Sequence, residues 1–243
     1  MLHIAYYGGY GIGRGLYMMW DPTYILIIIG VVLSLLASAK VKSTFAKYNR
    51  VRSACGLTGA EAAQRILRYA GITDVAVVHI SGNLTDHYDP RNKTVSLSDS
   101  VYGRHSLSAI AVAAHECGHV IQHAKAYGPL TVRTALVPVV NFSSGISWFV
   151  ILAGIFFSMQ PLISLGILLF SLAVIFQLVT LPVEFNASSR ALAILQQTGI
   201  LGADEGKGAS KVLHAAALTY VAAAAASILQ LLRLVLLFGR KRD

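Results

Sequence analysis

Three stretches of this sequence carry no charged side chain at all: Thr23 to Ala39, about Val137 to Met159, and Leu162 to Val183. A fourth, from about Ala215 to Phe238, is rich in alanine and leucine. Each approaches or exceeds the ~20 helical residues that a bilayer core requires. At 55% hydrophobic and 13% charged, the composition lies far from that of soluble proteins. The expected fold is therefore a mainly α integral membrane protein with about four transmembrane helices and one small α+β domain between the first two. The expected organisation is a lead-in over 1–22, a first span over 23–39, a folded domain over 40–136 and a membrane hairpin over 137–183. A helix and loop over 184–212, an apolar helix over 213–238 and a basic tail over 239–243 complete it.

The net charge of +9 gathers beside the apolar stretches, and no aromatic-interleaved basic module accompanies it, so nucleic acid is not an expected partner. Membrane lipids are. Lys40, Lys42, Lys47, Arg50 and Arg52 follow the first span directly, which places the 40–136 domain in the cytoplasm by the positive-inside rule and draws it to anionic headgroups. Arg240, Lys241 and Arg242 pull the other end to the same side, and Gln230 and Arg233 leave open whether the last segment spans fully. Ala37-Ser38-Ala39 imitates a signal-peptide cleavage site, but the basic cluster just beyond it opposes export, so the first span reads as a retained anchor. Before it, Tyr6, Tyr7, Tyr10, Tyr17 and Trp20 suit an interfacial belt. Gly11 to Gly15 lacks the preceding strand that a phosphate loop needs and reads as flexible lead-in. Two distant cysteines, Cys55 and Cys117, imply no disulfide framework.

Within the polar domain, Leu57 to Tyr69 has the pattern of an amphipathic helix, opened by a Thr58–Glu61 capping box and closed by Gly71. Val75 to Ile80 is strand-like. Asn83 to Ser98 alternates on both sides of Asp89-Pro90-Arg91-Asn92 and predicts a β-hairpin. A helix then runs from Ser106 or Ser108 to about Ala126, ended by Gly128-Pro129. Downstream, a helix continues to about Gln197, and Leu201 to Ser210 reads as a glycine-punctuated loop.

The motif helix contains His115-Glu116-Cys117-Gly118-His119. Residues four apart share a helical face, so both imidazoles can reach one zinc ion, while Glu116 projects beside it as a general base for an attacking water. Packing histidines could imitate the pair, but an unpaired acid in an apolar helix is costly, which favours the metal. A catalytic zinc normally takes a third protein ligand. His123 lies ~12 Å along the axis from His115, too far. Asp204, Glu205 and Asp243 read as solvated. Glu184 is the strongest candidate, because a hairpin of spans returns it to the side of His115; an acid placed to meet the positive end of a helix starting at Pro182 is the plainer account. His214, Asp86 and His87 stay open as weaker alternatives.

The motif, together with "LTDHYDPR", "LPVEFNASSRA" and "AAALTYVAAA", resembles the YugP-like family of bacterial membrane neutral zinc metallopeptidases over nearly the whole chain. More distantly it is similar to membrane gluzincins, whose third ligand is a glutamate on a later helix. The resemblance implies a multi-pass cell-membrane zinc metalloendopeptidase with a gluzincin-like domain. It implies one zinc held by His115, His119 and Glu184, Glu116 as base, and a peptide or protein substrate cleaved on the cytoplasmic side. Those distant relatives carry an aspartate four residues after the ligand glutamate; here that position is Ser188, which leaves Ser188 or Asn186 to orient a ligand. Arg190, His214 and Tyr220 are candidates for stabilising an oxyanion. The hairpin edge offers a place for strand addition by substrate, testable by proline at Thr94 or Ser96. Intramembrane proteolysis fits less well, because the motif helix is polar beyond His115. The competing class is a non-catalytic zinc-binding membrane scaffold, although structural zinc sites usually take four protein ligands.

Overall fold

The computed structural model describes residues 21–239, so the tyrosine-rich lead-in, the Gly11–Gly15 stretch and the residues of the basic tail beyond Gly239 lie outside the described residues. The first apolar stretch is helical and does not stop at Ala39: α1 (Tyr24–Asn49) carries Lys40, Lys42 and Lys47 on the same continuous rod. After a turn, α2 (Gly59–Tyr69) opens on Thr58, whose hydroxyl accepts from the Glu61 N–H at 3.1 Å while Glu61 returns a bond to the Thr58 N–H at 2.7 Å. Its apolar face buries Ala62, Ala63, Ile66 and Leu67.

Three strands follow, β1 (Ala76–Ile80), β2 (His87–Asp89) and β3 (Thr94–Ser98). The expected hairpin is present as β2 and β3, antiparallel with His87 opposite Ser96, and β1 joins parallel to β3. The order β1-β3-β2 makes β3 central. Thr94 and Ser96 are thus paired on both sides; the sheet's edges are β1 and β2, so the free edge of the hairpin is β2, not β3. Val95 and Leu97 of β3 point into a core shared with α2 and with α3 (Leu107–Ala124).

The remaining chain is three long helices, α4 (Gly128–Phe156), α5 (Gln160–Gln197) and α6 (Ala203–Phe238). With α1, these are the four helices among the described residues long and apolar enough to cross a membrane. Helix α4 pairs along its length with α5, and α1 with α6. Several boundaries differ from the sequence pattern. Gly128-Pro129 does not only end α3; it opens α4 well before Val137, with Pro129 in the first turn where its missing N–H costs nothing. Pro182 lies inside α5, so Glu184 is a mid-helix residue and the helix-start account of its acid does not hold. The expected loop at Leu201–Ser210 is instead mostly the first turns of α6. Asp204 and Glu205 meet its positive end. Gly208 is there for closeness rather than flexibility: a Cβ would stand 3.0 Å from the Tyr48 ring and 3.1 Å from Leu107.

Candidate metal centre

Helix α3 begins at Ser106, whose hydroxyl accepts from the Ala109 N–H at 3.2 Å. Its run of small residues lets neighbouring backbones approach. The closest approach is at Gly118, where an added Cβ would lie 2.5 Å from the Ala187 carbonyl oxygen of α5. Glu184 sits three residues before Ala187, on the same face of α5, and is thereby delivered onto the His115–His119 face of α3. Its Oε2 lies 3.3 Å from His115 Nε2 and 3.5 Å from His119 Nε2. Glu184 is 2% exposed, and Oε2 is buried without a geometrically sound hydrogen bond.

These distances fit a shared ion. Two donor atoms, each about 2.0–2.1 Å from one tetrahedral zinc, stand about 3.3–3.4 Å apart. The two imidazole nitrogens and one carboxylate are also the donor types that zinc takes. Among the described residues, these three side chains form the one cluster of potential ligands within 4.8 Å of each other.

The outer ring nitrogens are held as well. The Gln122 side-chain nitrogen donates to the Val183 carbonyl at 2.8 Å and to Asn186 Oδ1 at 3.0 Å. A carbonyl can only accept, so the amide nitrogen faces α5 and Gln122 Oε1 faces His119 Nδ1, 3.0 Å away. His119 therefore carries its proton on Nδ1 and offers the Nε2 lone pair inward. Ser188 Oγ sits 3.2 Å from His115 Nδ1, within hydrogen-bond reach of the outer nitrogen of the other ring. Arg190 donates to Asn186 Oδ1 at 2.7 Å, which ties the network to the next turn of α5. Burial opposes protonation of His119, yet the facing Glu184 carboxylate and the charge of Glu116 outweigh it and raise its pKa above the ordinary imidazole value. The pocket is thus electrostatically suited to a cation.

Glu116 is 8% exposed, and its charge acts on both His119 and Tyr220 of α6. Cys117 points away from the cluster, with its thiol against the Ala63 carbonyl at 3.7 Å; burial pushes its pKa far up, so it remains a neutral packing group. The weaker ligand candidates lie elsewhere. Asp86 accepts from the Ser98 N–H at 2.7 Å, His87 bonds the Thr85 carbonyl, and exposed His214 bonds Ser210. His123 meets the Tyr88 hydroxyl at 3.2 Å. Of the oxyanion candidates, Tyr220 is near both Glu184 and Glu116, whereas Arg190 is committed to Asn186 and lies over the Tyr127 ring. The one local signal for the role of Gln122 is its helical spacing of three from His119.

Residues 23–239 match the family described as "Putative neutral zinc metallopeptidase". The chain is also similar to the "Putative membrane protease YugP" of Bacillus subtilis (strain 168), 52% identical over 218 residues that cover 90% of this chain and 97% of that protein. No solved structure matches. With the match running over nearly every described residue and the two histidines and glutamate converging, the chain belongs to this family of neutral zinc metallopeptidases.

Proposed function

We propose that this protein is a multi-pass membrane zinc metalloendopeptidase of gluzincin type, hydrolysing peptide bonds at the cytoplasmic face with one zinc per chain. The observation that carries this reading is the buried Glu184 Oε2 facing two imidazole Nε2 atoms at 3.3 and 3.5 Å from a separate helix. A buried carboxylate oxygen that makes no hydrogen bond is costly, and a divalent cation shared with the two imidazoles relieves that cost while making the pocket reactive.

His115, His119 and Glu184 are the zinc ligands. Bound there, zinc polarises the scissile carbonyl and acidifies water. Glu116, one residue along the helix from His115, takes the proton of the attacking water and passes it to the leaving amine. Gln122 and Ser188 keep both imidazoles turned inward. Tyr220 offers its hydroxyl to the developing oxyanion. An extended substrate pairs with the free edge of β2, which packs beside α3. The partners are membrane lipids and a peptide or protein substrate, with no role for nucleic acid. Four long apolar helices and the lysines at the end of α1 support the membrane placement and its cytoplasmic side.

The test compares wild type with Glu116→Gln for zinc content and for cleavage of an unstructured protein substrate. Both proteins should carry about one zinc per chain, and the variant should lose about 10²–10⁴-fold in rate. Zinc in both with no cleavage by either would establish the scaffold instead. Equal cleavage by both would remove Glu116 from the reaction.

A further inference from the structure

Beside the metal centre, on the other flank of α5, a groove of about 460 Å³ opens between the end of α1 and the start of α6. Its rim carries Lys40 and Lys47 from α1 and Lys211 and His214 from α6. No acidic side chain lines it, and none of the three lysines has an ion-pair partner among the described residues. Its floor is apolar, made by Phe185, Leu218 and Val221. The apolar side does not end at the groove. Leu218 and Val221 are 46% and 40% exposed, and on the same face of α1 Leu33 and Leu36, one to two turns before Lys40, are 39% and 63% exposed.

Charge and apolar surface are thus arranged in order along two helices: hydrocarbon-seeking side chains first, then a ring of cations over an apolar floor. A free anion would satisfy the rim and waste the floor, while a purely apolar ligand would leave the lysines unanswered. An acidic peptide would have no use for the exposed leucines that lead away from the groove. We infer that this groove binds an anionic phospholipid, its phosphate among Lys40, Lys47 and Lys211, its glycerol over Phe185, and its acyl chains along Leu218, Val221 and the α1 leucines. The inference rests on the proposed membrane placement, and not on the peptidase chemistry. Phe185 is the residue next to Glu184, so an occupied groove presses on α5 directly behind a proposed zinc ligand.

The experiment is native mass spectrometry of the full chain released from mixed micelles containing equal phosphatidylglycerol and phosphatidylcholine. Wild type should retain phosphatidylglycerol, and Lys40→Gln with Lys211→Gln should lower that retention about thirtyfold, since each lysine at an anionic surface is worth about fivefold. Lys40→Arg should keep it, which separates charge from misfolding. The control removes equal charge at exposed positions off the groove, Lys42→Gln with Lys125→Gln, and should leave retention near wild type. Equal loss in the control pair would reduce the effect to general surface charge and overturn the site. So would competition by inorganic phosphate as strong as by the lipid, or displacement of the lipid by a polyglutamate peptide with no phosphatidylglycerol preference. Measuring in the Glu116→Gln background keeps the result independent of proteolysis.

Discussion

Up to about Thr180, α5 turns Leu165, Leu168, Ile175 and Leu178 outward at 46%, 62%, 46% and 46% exposure. From Val183 to Ala191 the same helix buries Val183, Glu184, Ala187 and Ala191 to 2% exposure or less. One continuous rod therefore shows its leucines and hides its carboxylate, the reverse of what water would select. Each half makes sense only with the medium that the other lacks. The leucines are at home in hydrocarbon, where helix pairs gain nothing from hydrophobic burial and are held by packing and polar contacts. The carboxylate is tolerable only where positively charged or hydrogen-donating groups inside a closed protein wall replace water. Pro182 stands at the change of regime.

The sharpest way to break this contrast is at the carboxylate. Glu184→Ala should abolish zinc binding and reduce cleavage by more than the ~100-fold that loss of an outer partner causes, as read by metal content and turnover. If zinc stays at one per chain, Glu184 is not a ligand, and its burial needs another account. Gln122→Ala should come next. It frees His119 Nδ1, weakening zinc affinity about 10–100-fold in a competitive chelator titration, with Glu184 untouched. Gly118→Ala probes the contact that delivers Glu184 to the histidines. Its methyl meets the Ala187 carbonyl and should cost about 1–3 kcal/mol in unfolding free energy as α3 and α5 are pushed apart.

The same contrast explains what the sequence makes legible. Apolar runs and the four-residue histidine spacing are local signals, and the four long helices and the His115–His119 face follow from them. The Ser106 cap and the Thr58–Glu61 box are local too. Glu184 stands out because an acid beside a hydrophobic run is rare enough to notice. Illegible are the features decided by a distant neighbour. Gly208 reads as a loop residue because its reason, the close packing of α6 on Tyr48 and Leu107, is not nearby in sequence. Pro182 reads as a helix start because a proline's tolerance inside a helix depends on what packs around it. The central position of β3 depends on a parallel strand that no turn signal announces. Gln122 is an ordinary polar residue until Val183 and Asn186 fix which way its amide faces.

The gentlest substitution tests the other half of the helix. Leu168→Ala removes a side chain that is 62% exposed, and in a bilayer lipid fills the space it leaves, so unfolding free energy in lipid should change by less than about 0.5 kcal/mol. The matched substitution in the folded domain, Leu195→Ala at 1% exposure, should cost about 2–5 kcal/mol by opening a cavity. Leu168→Arg supplies the sign, because a charge on a lipid-facing position near mid-span costs about 2.5–3.5 kcal/mol, whereas on a water-facing surface it is nearly neutral. Should Leu168→Ala behave like Leu195→Ala, that face of α5 is covered by another protein and not by lipid, and the outward leucines mark an interface.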